Sequence, residues 1–181
     1  MGDEEVVYTT NAADQQAVAE LQKRIAQSQS NATATRTRTR TRTRTRSTTN
    51  QEGNNQDWVP VPSVSIDEGA HKYVLISATE PHSTQLGSDE CYTVFFVTSK
   101  RGAAYHMNAA EPYVELLQSK GYRDINVTGG GRIYCSDDER KISIFGCSYG
   151  FGLADHAKSK EVILSDERYQ DHDVTWTNDG Y

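Results

Sequence analysis

The chain has 181 residues, and its hydrophobic content of 35% is low against the roughly 45–50% apolar usage of globular domains. No run reaches the ~18 apolar residues of a membrane span, and the acidic N-terminus lacks the basic and apolar regions of a signal peptide. Collagen-like, membrane and disulfide-rich secreted proteins are therefore excluded. The three cysteines, an odd count in a chain without a signal peptide, favour reduced thiols and a cytoplasmic location.

The composition changes near Trp58. Residues 58–181 contain all five histidines, both tryptophans, all four phenylalanines and nine of the ten tyrosines. Their net charge is −7, whereas residues 1–57 have a net charge of +1. A segment with one aromatic side chain cannot bury enough apolar surface to offset the entropy of ordering it. We therefore predict a disordered low-complexity tail over 1–57 and a single acidic domain over 58–181.

The tail has two features. Residues 11–28 place Val18, Leu21 and Ile25 on one helical face, and so narrow a stripe predicts a fraying helix rather than one that binds a partner. Threonine and arginine then alternate over Thr35–Arg46, where the like charges repel one another. We interpret this repeat as a solvated, disordered basic arm. Weak contact with nucleic acid or another polyanion is the alternative.

Short runs rich in β-branched and aromatic residues predict the strands of the domain. They are His71–Ala78, Cys91–Thr98, Arg132–Cys135 and Lys141–Phe145, with shorter candidates at Asp124–Val127 and Val174–Trp176. The acidic turn Ser136–Arg140 is expected to join the two strands beside it as a hairpin.

Two helices are predicted, over Met107–Lys120 and roughly over Leu153–Leu164, from their apolar spacing. Asn108 followed three residues later by Glu111 resembles a capping box. Because Pro112 comes directly after it, the pattern defines the first residue of this helix only to within a few positions. Strands predominate, so the fold class is α+β with a mostly antiparallel or mixed sheet.

Several kinds of catalytic site are not supported by the motifs. The cysteines lack CxxC spacing, and neither HxH nor HExxH occurs, so we expect no metal site. The chain also lacks the GxSxG of an acyl-transfer serine and the Lys-Ser/Thr that follows a phosphate-binding loop. We therefore expect no cofactor.

The remaining pattern is suited to a small anion. Ser148, Tyr149 and Gly150 lie between a predicted strand and a predicted helix, where main-chain amides can cradle an anion. The alternative is that glycine is present only because the backbone conformation of the turn requires it, with no ligand bound there. Lys72 opens a strand and Arg132 follows three glycines, so both cations could hold a phosphate or be ordinary exposed strand ends.

One histidine is placed for chemistry. His106 lies at the junction that precedes the first predicted domain helix, where side chains are often accessible. Histidine can take a proton or attack phosphorus near neutral pH, although a structural role is the alternative. His156 lies inside the second predicted helix and is interpreted as structural, with at most a supporting role.

Four stretches carry a resemblance to a known family. They are VTWTNDGY, KYVLI after the VPSVSID lead, GGGRI, and SIFGCSYGFGLADHAKSKEVI. In their order they resemble the janus / 14 kDa phosphohistidine phosphatase family, from about Val59 to Tyr181. The resemblance implies a six-stranded sheet flanked by two helices. It also implies metal-independent removal of phosphate from phosphohistidine, and to some extent from phospholysine, in proteins.

The resemblance also assigns roles to residues. The family's catalytic histidine corresponds to His106, its substrate-binding lysine to Lys72, and the arginine after the triple glycine to Arg132. The family's phosphate-binding turn falls on Ser148, Tyr149 and Gly150.

Two departures from the family pattern are visible. A further family arginine before the catalytic histidine has no match at its spacing, and either Lys100 or Arg101 could replace it. The middle residue of the turn is Tyr149 here, a bulkier side chain that could alter which substrates enter.

The function predicted from these observations is that of a protein phosphohistidine phosphatase, monomeric and without a cofactor. Its partners would be phosphohistidine-containing proteins, and His106 would act as a general base or as a nucleophile. One alternative is a non-enzymatic janus-like regulator that binds phosphoproteins. Another is a polyanion-binding protein that acts through the arginine arm.

Overall fold

The computed structural model describes residues 11–38, 59–81 and 92–180. In chain order its elements are α1 (Asn11–Arg38), β1 (Val64–Ser65), β2 (Gly69–Thr79), β3 (Thr93–Ser99), α2 (His106–Ser119), β4 (Arg123–Ser136), β5 (Lys141–Phe145), α3 (His156–Ser165) and β6 (Asp173–Trp176). The rest of the predicted tail, residues 1–10 and 39–57, lies outside the described residues, as does Cys91.

Six strands of the described part form one mixed sheet in the order β1-β3-β2-β4-β5-β6. The inner pairs are antiparallel, whereas β1 pairs with β3 and β5 pairs with β6 in parallel. The predicted α+β class and the six-stranded sheet are confirmed. The two-residue strand β1, within the VPSVSID stretch, was not predicted because its pattern is too short to be periodic.

Strand β2 lies at the centre of the fold and is buried on both faces. Val74 and Ile76 pack into a cluster with side chains of α2, whereas Tyr73 and Leu75 pack on the opposite face with side chains of α3. Successive strand residues point to opposite faces, so one apolar strand supplies two cores. The sheet is thus sandwiched between α3 on one face and α2, joined by α1, on the other.

The two strands predicted on either side of the triple glycine are one long strand. β4 runs without interruption through Gly129, Gly130 and Gly131, which pair with β2. A Cβ atom on any of the three would lie 2.6–2.8 Å from a neighbouring main-chain atom. Glycine is needed here because other backbone segments approach β4 closely, not because the chain turns.

Helix α2 begins at His106, and its N-terminal cap differs from the predicted one. The cap residue is Tyr105, whose main-chain N–H donates to Oδ1 of Asn108 at 3.0 Å. The predicted capping box that starts at Asn108 is therefore wrong, since Asn108 is the third helical residue and reaches back to the cap. The helix continues through Pro112 to Ser119.

Helix α1 is the largest departure from the predicted tail. Val18, Leu21 and Ile25 are only 3%, 2% and 7% exposed, and the last two belong to the core cluster of α2. The apolar stripe is as predicted, but the helix packs on the domain rather than fraying. Burial against the domain provides the stabilisation that so narrow a stripe cannot give an isolated helix. Part of the segment predicted to be disordered is thus a packed helix. Its length of 28 residues includes the first two arginines of the repeat, and the later arginines lie outside the described residues.

No helix in the described ranges is both long and apolar enough to cross a membrane.

Candidate active site

Pairing of β2 with β4 brings the two predicted phosphate-binding cations together. Lys72 and Arg132 are direct cross-strand partners, so their side chains leave the same face of the sheet. His106, at the start of α2, is anchored beside them, with Nε2 3.0 Å from the Gly131 carbonyl oxygen. The three side chains line one small cavity together with Gly146, Cys147 and Gly180.

The hydrogen bond of His106 determines which ring nitrogen can react. A carbonyl oxygen only accepts, so Nε2 of the neutral ring must carry the proton. Nδ1 then keeps its lone pair, which can take a proton or attack an electrophile. The residue is only 3% exposed, so its ring is held in one orientation.

The surroundings of His106 favour its neutral form. Burial lowers the pKa of His106, and the hydrogen bond to Gly131 and the charge of Asp14 oppose that effect. The positive charges of Lys72 and Arg132 lower the pKa further. A histidine whose pKa lies below its usual value of about 6.5 holds a reactive lone pair at neutral pH.

Lys72 is half-buried beside a second cation. Burial lowers the pKa of Lys72, the charge of Arg132 lowers it as well, and Asp14 acts in the opposite direction. Like charges at directly opposed strand positions are unfavourable. An anion bound between the two side chains would relieve that repulsion, so the arrangement is suited to a phosphoryl group.

The turn after β5 is organised around Ser148. Its main-chain N–H donates to the carbonyl oxygens of Gly130 and Gly152, at 3.1 and 3.2 Å, and its Oγ accepts from the N–H of Phe151 at 3.1 Å. The Ser148 amide is therefore used within the protein. The predicted role of Ser148, Tyr149 and Gly150 in holding an anion stays a prediction.

Gly130 brings the turn and the histidine together. A Cβ atom at this position would lie 3.0 Å from Cδ2 of His106 and 3.1 Å from Cβ of Ser148. His106 and the turn at Ser148 thus meet at Gly130 of β4. Arg132, two residues further along the same strand, and its partner Lys72 lie next to this point. The structure thus brings together four of the residues that the sequence predicted separately: Lys72, His106, Arg132 and Ser148.

The helix after the turn begins later than predicted. Its first residue is His156, and the Asp155 side chain caps it by accepting from the N–H of Lys158 at 2.9 Å. The predicted start at Leu153 is wrong because Asp155 provides the stronger cap. A short loop therefore separates the turn from the positive end of α3. Tyr149, in the middle of the turn, is 55% exposed.

Lys100 and Arg101 occupy different environments. Lys100 lines a surface cavity of about 150 Å³ together with Lys72 and Arg132. Arg101 faces the loop between β1 and β2, where its main-chain N–H donates to Asp67 and its guanidinium to the Glu68 carbonyl oxygen. Of the two, Lys100 has the position that can add positive charge to the site.

His156 has the structural role predicted for it. Its Nε2 donates to the Gly146 carbonyl oxygen at 2.9 Å, and its Nδ1 accepts from the Tyr73 hydroxyl at 2.5 Å. Burial lowers the pKa of His156, which suits a neutral ring whose two nitrogens are both engaged. This histidine joins α3 to β2 and to the loop that carries Cys147.

Two residues near the site were missed by sequence reasoning. Cys147 lines the small cavity, and no spacing motif marks it. Asp14 lies in α1, is 6% exposed and acts electrostatically on His106 and Lys72. The sequence does contain a signal for Asp14: it precedes Val18 by one helical turn and so lies on the same face as the apolar stripe.

Among residues 11–38, 59–81 and 92–180, no group of three His, Cys, Asp or Glu side chains converges in a geometry that could hold a metal ion.

Comparisons with known proteins show which chains this one resembles. Residues 58–173 match the model of the Janus/Ocnus family. The 14 kDa phosphohistidine phosphatase of Sus scrofa is 38% identical over 128 residues, and the match covers 69% of this chain and 96% of the relative. The protein of the same name from Homo sapiens is 36% identical over 127 residues, and the match covers 69% of this chain and 97% of the relative. The sex-regulated protein janus-A of Drosophila pseudoobscura pseudoobscura is 31% identical over 129 residues, and the match covers 71% of this chain and 83% of the relative.

Proposed function

The chain belongs to the Janus/Ocnus family, and we propose that it is a protein phosphohistidine phosphatase that hydrolyses the N–P bond without a metal ion. One observation carries the proposal. A buried histidine, held neutral with Nε2–H donated to a carbonyl oxygen, lies beside two adjacent cations. Two phosphatases of this name, at 36% and 38% identity, support the choice of substrate.

The cations would bind the phosphoryl oxygens. Lys72 and Arg132 would each offset part of the negative charge, and Lys100 would add a third positive charge at the mouth of the site. Main-chain amides of Tyr149 and Gly150 would complete the contact. Bound substrate would also relieve the repulsion between Lys72 and Arg132. The same two side chains would therefore bind the substrate and stabilise the negative charge on its phosphoryl oxygens.

Nδ1 of His106 would carry out the chemical step in one of two ways. As a general base it would take a proton from water while the water oxygen bonds to phosphorus and the N–P bond breaks, and that proton would then pass to the departing imidazole nitrogen. As a nucleophile it would form its own N–P bond, release the substrate histidine, and then be freed by water. Both routes convert phosphohistidine and water into histidine and phosphate. A phosphoramidate bond is labile enough that positioning and modest activation suffice.

The test is hydrolysis of a phosphohistidine peptide by the full chain with EDTA present. We expect the rate to fall at least ~100-fold in His106→Asn, because the imidazole proposed to move the proton or attack phosphorus is lost. Inorganic phosphate should still bind, since Lys72 and Arg132 are unchanged. His172→Asn is the matched control, because that ring packs edge-on to Tyr169, away from the cavity.

Near-normal turnover by His106→Asn would overturn the proposed mechanism. An acid-labile phosphoenzyme that forms in the parent and not in the variant would favour attack by His106 over activation of water.

A second candidate is a non-enzymatic regulator that binds phosphoproteins. The janus-A relative at 31% identity and the exposed Tyr149 in the turn favour it. Such a protein would bind a phosphohistidine peptide with unchanged affinity in His106→Asn and would release no phosphate in either form.

A further inference from the structure

We propose that α1 is an autoinhibitory helix that places the Asp14 carboxylate at the phosphate site, so that the docked helix and a phosphorylated ligand exclude each other. The identity of the natural ligand rests on the function proposed above. The exclusion itself concerns any small phosphate-like anion, and inorganic phosphate is sufficient to test it.

Asp14 is an unusual carboxylate. It is 6% exposed, and its Oδ1 atom has no hydrogen-bond partner among the described residues. Burying a carboxylate without hydrogen bonds is costly unless positive charge compensates for it. The compensating positive charge is that of Lys72, with which Asp14 interacts electrostatically, and Asp14 also acts on the neighbouring His106. Its carboxylate therefore stands where a phosphoryl group would gain the same attraction.

Helix α1 packs against one residue, Gly150, of the turn that follows β5. A Cβ atom on Gly150 would lie 2.5 Å from Cγ2 of Val18 and 3.3 Å from the Asp14 carbonyl oxygen. The helix thus lies directly against Gly150. An anion bound on this side of Gly150 would have to occupy space that the helix now fills.

Two kinds of contact hold α1 in this position. Leu21 and Ile25 are buried in the core cluster formed with α2. Arg24 pairs with Glu111 and Glu115 of α2, at 2.5 and 3.1 Å, and these side chains are partly exposed. Exposed ion pairs contribute little, so the buried leucine and isoleucine provide most of the docking energy. Asp14 and Val18 lie N-terminal to these anchors, so the proposal requires only this end of the helix to leave the site when an anion binds.

The decisive experiment measures the affinity of the full chain for inorganic phosphate by calorimetry. Asp14→Asn removes the charge and keeps the shape, and we expect it to bind phosphate at least about tenfold more tightly, because a carboxylate no longer competes for the cations. Glu20→Gln is the matched control, since this exposed carboxylate on the same helix should leave the affinity unchanged. Equal phosphate affinity in Asp14→Asn, Glu20→Gln and the parent would overturn the proposal.

A second variant tests the covering helix without altering charge. Val18→Ala removes the side chain that lies against Gly150, and it should also tighten phosphate binding. If Asp14→Asn does not fold, as judged by circular dichroism, Val18→Ala decides alone: unchanged affinity overturns the proposal.

Hydrolysis of the phosphohistidine peptide separates this inference from the proposed function. Tighter phosphate binding in Asp14→Asn with no hydrolysis by any variant would support the autoinhibitory helix and refute the phosphatase. Hydrolysis at equal rates, with equal phosphate affinity in Asp14→Asn and the parent, would support the phosphatase and refute autoinhibition.

Discussion

Docking of α1 on the domain can be tested by truncating one of its buried side chains, Leu21. Leu21 is 2% exposed and packs in the same cluster as Leu117 of α2, which is 0% exposed. Replacing a fully buried leucine by alanine removes its transfer free energy and leaves a cavity, which together cost about 2–5 kcal/mol. We therefore expect Leu21→Ala to lower the free energy of unfolding by that amount, as Leu117→Ala should.

Urea unfolding of the full chain, followed by circular dichroism, measures the effect. The midpoint should fall while the dependence on urea concentration stays the same, because α1 unfolds together with the domain. Leu116→Ala is the matched control. Its side chain is 39% exposed on the same helix as Leu117, and its loss should change stability by no more than about 0.5 kcal/mol.

The outcome that would refute this reasoning is specific. If Leu21→Ala behaved like Leu116→Ala while Leu117→Ala lost about 2–5 kcal/mol, α1 would not belong to the cooperative unit. Burial of its apolar stripe would then contribute nothing to the stability of the fold.

Three further predictions concern the site and its support. Tyr73→Phe should lower the free energy of unfolding in urea by about 1–3 kcal/mol, because the buried Nδ1 of His156 loses its donor; a change below about 0.5 kcal/mol would contradict this. Gly130→Ala should reduce kcat/KM for the phosphohistidine peptide about 100-fold, since the new methyl group, 2.8 Å from the Tyr73 carbonyl oxygen and 3.0 Å from His106, would force β4 and the histidine apart; unchanged kcat/KM would exclude such crowding. In an NMR pH titration, burial should give His106 a midpoint below about 6.5, so that the ring is neutral at pH 7; a midpoint above that value would refute the assignment.

Much of the domain was predictable because its signals are local. The runs 71–78 and 141–145 are dense in β-branched residues, and both lie in the strands observed. The positions of His106 and His156 at or within helices also follow from nearby apolar spacing. Errors arose at helix starts, where Asn108 and Asp155 compete with neighbouring polar residues as caps.

The site could be predicted only as separate parts. A resemblance to a known family named Lys72, Arg132, His106 and the turn, but no pattern in the chain says that the two cations are cross-strand partners. That relation depends on the register between β2 and β4. Register is determined by packing on both faces of the sheet, and a shift of one residue would send the cations to opposite faces.

By itself, the sequence determined the α+β class, most strand positions and the helical stripe of α1, because each follows from the period of nearby side chains. Only the tertiary structure decided that the stripe is buried, that Lys100 rather than Arg101 lines a cavity with Lys72 and Arg132, and that Asp14 acts electrostatically on Lys72. These outcomes depend on contacts between residues far apart in the chain. Burial and electrostatic attraction act through space, so their effects appear only once the elements have packed.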